Sequence, residues 1–111
     1  MPKEKNNKLV NKTVNIAVYL NILDEVLWQD IDRIIFENGY SYIVDEDNYM
    51  EMLAFLYRRL RRTWFGRKNP SPEQFRRRLK YYYTRKRTEL LAVVSYLVSL
   101  YYNSRRMGLH N

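Results

Sequence analysis

Apolar residues recur along this chain at the spacing of a helix. Ile16, Leu20, Leu23, Leu27, Ile31 and Ile34 follow one another three or four positions apart, and Tyr19, Val26 and Ile35 widen the stripe. At about 100° per residue they share one broad arc, which predicts an amphipathic helix over 13–37. Asn38-Gly39 supplies its stop, because glycine enters the left-handed conformation without a Cβ clash. The stretch 40–44 is short enough to be extended. A second helix is expected over 48–65, where Asn48 and Glu51 have capping-box spacing. Its apolar face is Tyr49, Met52, Leu53, Leu56, Tyr57, Leu60 and Trp64, with Arg58, Arg59, Arg61 and Arg62 opposite and Gly66 as terminator.

Past the loop at 68–70, Ser71-Pro72-Glu73-Gln74 is the strongest local signal. Ser71 caps, Pro72 suits the first helical position, and Gln74 closes the box. No further breaker occurs before Gly108, so a third helix is expected over 72–103. A helix of that length spans about 48 Å, whereas a compact domain of this size has a radius of gyration of only about 13 Å. It must break, project at one end, or pack on another copy. Its first half, to Arg87, is basic, with Phe75, Leu79, Tyr82 and Tyr83 on the apolar side. In line with these come Leu90, Val93, Leu97, Leu100 and Tyr101, in a half that is apolar almost all round. Such a surface asks for neighbours on several sides. The expectation is an all-α fold with three main helices, a bundle completed by self-association. Residues 1–12 form a basic flexible arm (Lys3, Lys5, Lys8, Lys12), 13–107 one helical domain, and 108–111 a short tail.

Composition narrows the chemistry. In 111 residues, 46% are hydrophobic, enough for a core, and none is Cys, so disulfides and thiolate metal sites are absent. The single His110 stands at the C-terminus and the three glycines stand apart, so neither a His-based triad nor a Gly-rich phosphate loop is available. Asp30 with Asp32, and Asp45 to Asp47, lack calcium-loop spacing, and acids at a helix start explain the second group more simply. No enzyme, cofactor or metal is expected. The longest apolar run, 90–102, falls short of the ~20 residues of a membrane span. The expected location is cytoplasmic or within a nucleoprotein particle, without integral membrane association.

The net charge of +8 conceals a division. Residues 24–51 hold nine acids and one base, whereas 58–87 hold thirteen bases and one acid, Glu73. Ten of the thirteen are Arg, suited to bidentate phosphate contact and to stacking. The candidate nucleic-acid-binding residues are Arg58, Arg59, Arg61, Arg62, Arg67, Lys68, Arg76, Arg77, Arg78, Lys80, Tyr81, Arg85, Lys86 and Arg87. Arg77, Tyr81 and Arg85 follow one helix face at i, i+4 spacing, with Tyr81 a candidate stacking platform. The bland alternative has Tyr81 covering arginine stems. Eleven tyrosines against four phenylalanines also suggest surfaces that stack and pair with charge.

These features point to a non-enzymatic, self-associating protein that binds DNA or RNA through its phosphates. Asn and Gln contribute only Asn69 and Gln74 to the basic stretch, so low sequence specificity is expected, with packaging or nucleoprotein coating as the specific form. Two rival readings follow from the same residues. One is a DNA-binding regulator, since helix, loop and basic helix resemble a helix-turn-helix in outline, although the loop is longer than the usual turn. The other is a protein-binding adaptor or inhibitor whose basic face docks an acidic partner. The acidic and basic blocks can also meet, within one chain or between copies.

Overall fold

A computed structural model describes the backbone of residues 2–108 and the side chains of residues 16–106. Its elements are α1 (Pro2–Glu37), a 3-10 turn (Ser41–Ile43), α2 (Glu46–Phe65), α3 (Pro72–Arg85) and α4 (Arg87–Gly108). The described residues are thus all helical, in four helices where the pattern predicts three. α1 begins well before 13, since nothing between Pro2 and Gly39 interrupts a helix and proline fits the first turn. The side chains of the basic arm, and residues 109–111 with His110, lie outside the described residues.

The stop at Asn38-Gly39 is a Schellman motif. Gly39 has φ 75°, its N–H bonds the Phe36 carbonyl at 3.1 Å, and the Tyr40 N–H bonds the Ile35 carbonyl at 3.0 Å. This closure drives the Tyr40 ring into the core. Residues Ser41–Ile43 are not extended: Ile43 and Val44 donate back to the Tyr40 and Ser41 carbonyls, making a 3-10 turn that Val44 leaves with an extended backbone. The cap of α2 is also shifted from its expected place. Asp45, not Asn48, is the N-cap, and Asn48 is the third helical residue that reaches back to it. Gly66 (φ 61°) ends α2, and Ser71, Pro72 and Gln74 start α3 as expected.

The expected 72–103 helix breaks at Lys86, whose backbone (φ −135°, ψ 45°) leaves the helical region. Side chains take over the ladder there. The Thr84 hydroxyl donates to the Lys80 carbonyl at 2.9 Å and to the Tyr81 carbonyl at 3.2 Å, a back-bond that bends helices. The Arg87 Nε donates to the Tyr83 carbonyl at 3.0 Å, filling the place the Arg87 N–H has left. The break turns the buried face of α4 by one position. Val94, Val98 and Tyr102 join Leu90 and Leu97 in the core, whereas Val93 and Leu100, on the unbroken stripe, point outward.

α1 packs against all three other helices. Tyr57 meets Tyr19 and Tyr49 meets Asp24, so α2 runs opposite to α1. Phe75 meets Tyr19 and Tyr83 meets Asp30, so α3 runs with α1. The core holds Leu20, Leu23, Leu27, Ile31, Ile34 and Ile35 of the predicted stripe, together with Ile22, which the stripe omits; Ile16 is exposed. Met52, Leu53, Leu56 and Leu60 face it from α2, and Phe75 and Leu79 from α3.

Tyrosine hydroxyls lock these helices together. Tyr49 donates to Asp24 at 2.7 Å, Tyr83 to Asp30 at 2.9 Å, Tyr101 to Glu51 at 2.6 Å, Tyr102 to Asn48 at 2.9 Å, and Tyr19 to the Pro70 carbonyl. Each joins elements distant in sequence. Asn48, 3% exposed, is the node: its Oδ1 accepts from Tyr102 and from the Asp45 N–H, and its Nδ2 donates to the Ile43 carbonyl. Burial and the Asp24 carboxylate hold the Tyr49 phenol well above its ordinary range. For Tyr83 the Asp30 hydrogen bond is the chief cause of the same upward displacement. Burial, then Glu51, pushes Tyr101 up to about 12, and burial raises Tyr102 as well.

Two outcomes follow. Asn48→Ala leaves the Tyr102 hydroxyl, the Asp45 N–H and the Ile43 carbonyl without partners and is expected to cost about 3 kcal/mol in urea unfolding, against about 1 for Tyr102→Phe. Unfolded tyrosine ionises near pH 10 and these folded phenols ionise higher, so their stabilisation is complete below about pH 10 and lost as pH rises towards 12. The melting temperature should therefore hold to about pH 9.5 and fall beyond it, with phenolate absorbance rising at the unfolding transition.

Candidate nucleic-acid interface

The basic block occupies the second half of α2, the α2–α3 loop and α3. On α2, Arg58 and Arg62 are exposed and lie one turn apart; on α3, Arg77, Tyr81 and Arg85 do the same. Arg67 and Lys68 are exposed in the loop between them. Charge along α2 follows the helix dipole, with Glu46 and Asp47 in its first turn and Arg62 in its last.

The predicted site residues divide by what they touch. Arg61 donates to the Lys68 carbonyl at 2.9 Å and to Asn69 Oδ1 at 3.2 Å, bracing the loop. Arg76 pairs with Glu25 at 2.8 Å. Arg78 lies 5.0 Å over the Phe65 ring and donates to the Trp64 carbonyl at 3.4 Å, close to the end of α2. Arg59 sits 5.1 Å over Phe55, Arg87 lies 4.2 Å over Tyr83, and Lys86 is 4.0 Å from Glu89. Among the described residues, Arg58, Arg62, Arg67, Lys68, Arg77, Lys80 and Arg85 have no ion pair, side-chain hydrogen bond or ring contact.

The acidic block does not neutralise them. The Glu25–Arg76 pair is the one bridge between the two blocks among the described residues. Asp30 is engaged by Tyr83 and Arg33, and Glu51 by Tyr101 and Arg105. Asp45 caps α2, and Asp24 accepts from Tyr49. Among the described residues no cluster of three or more His, Asp or Glu is placed to hold a metal, and no helix is long and apolar enough to cross a membrane.

A concavity on the basic block joins its two helices. A cleft of about 360 Å³ is lined by Phe65 from the end of α2 and by Gln74, Arg77, Arg78 and Tyr81 from α3. The structure thus brings Arg77, Arg78 and Tyr81 together, as their helix spacing predicts. Tyr81 is 50% exposed. Its ring meets Tyr82 edge-on at 5.7 Å, Tyr82 stacks on Trp64 at 4.9 Å, and Trp64 leans on the buried Phe75 at 6.0 Å. This chain of rings ties Tyr81 to the core. Phe65 is missing from the sequence-level site because only its place before Gly66 was visible there. Its contact with Arg78 joins different helices and follows from the packing of α3 on the end of α2.

No family model, curated protein or solved structure matches the chain.

The division of the cations has a measurable consequence. Alanine at Arg58, Arg62, Arg77 or Arg85 should change unfolding free energy by less than about 0.5 kcal/mol. Arg78→Ala, which loses its ring and carbonyl contacts, should cost about 1–2 kcal/mol in the same measurement.

Proposed function

We propose that this chain is a non-enzymatic nucleic-acid-binding protein that grips phosphates with low sequence preference and works as a self-associating packaging or coat subunit. The observation that carries the proposal is the set of seven cationic side chains that have no partner among the described residues, while Glu25 is the one acid of the acidic block that bridges to the basic block there. Solubility does not require a separation of charge on this scale, and an Arg-rich surface releases counterions when it meets a polyanion. Base-edge readers are scarce in the block, which favours backbone contact over sequence readout. Self-association belongs to the same reading. Val93, Tyr96 and Leu100 lie at helical spacing on the outward side of α4 and are exposed, a face suited to another copy.

The test is affinity for random-sequence DNA and RNA as salt rises. Six or more phosphate contacts predict a fall of about 10³-fold or greater between about 50 and 200 mM. Arg77→Ala with Arg85→Ala should weaken every sequence alike. A flat salt response, or no binding at low salt, would overturn the proposal in favour of a protein partner. Light scattering should give a mass above the monomer that falls with Tyr96→Lys; a strict monomer removes the assembly half of the reading.

A further inference from the structure

We infer that the cleft between the end of α2 and α3 takes an unstacked base of a single-stranded nucleic acid, held against Tyr81 with its phosphate on Arg77. The inference rests on the proposed nucleic-acid function and names the form of nucleic acid that the same surface prefers.

Four observations support it. The cleft, at about 360 Å³, is at the lower end of the size range of small-ligand sites, as a single nucleobase requires. Its walls carry two aromatic rings, Tyr81 and Phe65, and a base stacks on such rings whatever its identity. Arg78 is occupied in holding Phe65, whereas Arg77 on the same wall has no partner among the described residues and can meet a phosphate. Gln74 lines the cleft with its Oε1 committed to the Ser71 N–H, which leaves its amide nitrogen to donate to a base edge.

The tie from Tyr81 through Tyr82 and Trp64 to Phe75 matters because stacking on a ring already held in place costs little ordering entropy. A half-exposed tyrosine covering nothing but arginine stems would not need a concavity in front of it. A duplex keeps its bases stacked inside, so it offers this cleft no ring, only the phosphates that the surrounding arginines already meet. A single strand offers both.

The probes are oligothymidylate and oligouridylate of about 16 nucleotides, each free and annealed to its complement, at low salt. Wild-type protein should bind the free strands more tightly than the duplexes. Tyr81→Ala should weaken free-strand binding about 5- to 100-fold, the worth of one stacked base, and leave duplex binding unchanged; Tyr81→Phe should retain wild-type affinity. Strands carrying 5-bromouracil should photocross-link to Tyr81 or Phe65. If Tyr81→Ala affects neither form, or both equally, while salt-dependent binding persists, the cleft has no such role and the phosphate-binding proposal stands. If wild-type protein binds none of the four probes, both fall together. A melting temperature of Tyr81→Ala equal to wild type separates lost stacking from lost folding.

Discussion

Asn48 is the point on which the four-helix arrangement depends. A side-chain amide buried among apolar helices is costly unless all its groups are partnered. Here the 3-10 turn, the cap of α2 and the Tyr102 hydroxyl of α4 supply the partners together. The amide is satisfied only when the local turn and cap and the Tyr102 hydroxyl, 54 positions away, take one relative position. Apolar packing tolerates a small slide of one helix along another, whereas a hydrogen bond of 2.7 to 3.0 Å does not. The other tyrosine contacts extend the same device to each helix pair they join. A tyrosine buries a ring and still requires a polar partner at its tip, so it contributes area and register at once.

This use of tyrosine explains how opposite charges coexist in so small a chain without cancelling. Carboxylates at Asp24, Asp30 and Glu51 accept from phenols, two of them with an arginine from outside the basic block beside them. Among the described residues Arg58, Arg62, Arg67, Arg77 and Arg85 of the basic block keep no internal partner. The fold's polar adhesive and the character of its surface come from the same choice of residue.

The break at Lys86 resolves the conflict between an uninterrupted helical pattern and a small core. Continuing straight would have carried one end of the helix past the other elements and left its apolar half uncovered. The interruption places α3 along α1 and turns α4 so that Tyr102 reaches Asn48. Neither glycine nor proline is involved. Thr84 and Arg87 supply side-chain groups around the missing backbone bond, each reaching a carbonyl one turn back.

The amino-acid order alone sets the helical class, the stops at Gly39 and Gly66, the capping box at Ser71 and most of the core of α1 and α2. These are local matters of periodicity and of glycine, proline and serine chemistry. It also determined the separation of charge and the shared face of Arg77, Tyr81 and Arg85, since helix spacing alone places those together. The pattern puts the start of α2 two residues late, because Asn48 has capping chemistry and its burial cannot be read from its neighbours. Packing decides which cations are spent internally, where the long third helix breaks, and that Phe65 joins Tyr81 across a cleft. The Glu25–Arg76 pair and the Phe65–Tyr81 cleft join residues well separated in sequence, whereas the break at Lys86 rests on side-chain bonds one turn long that no breaker residue announces.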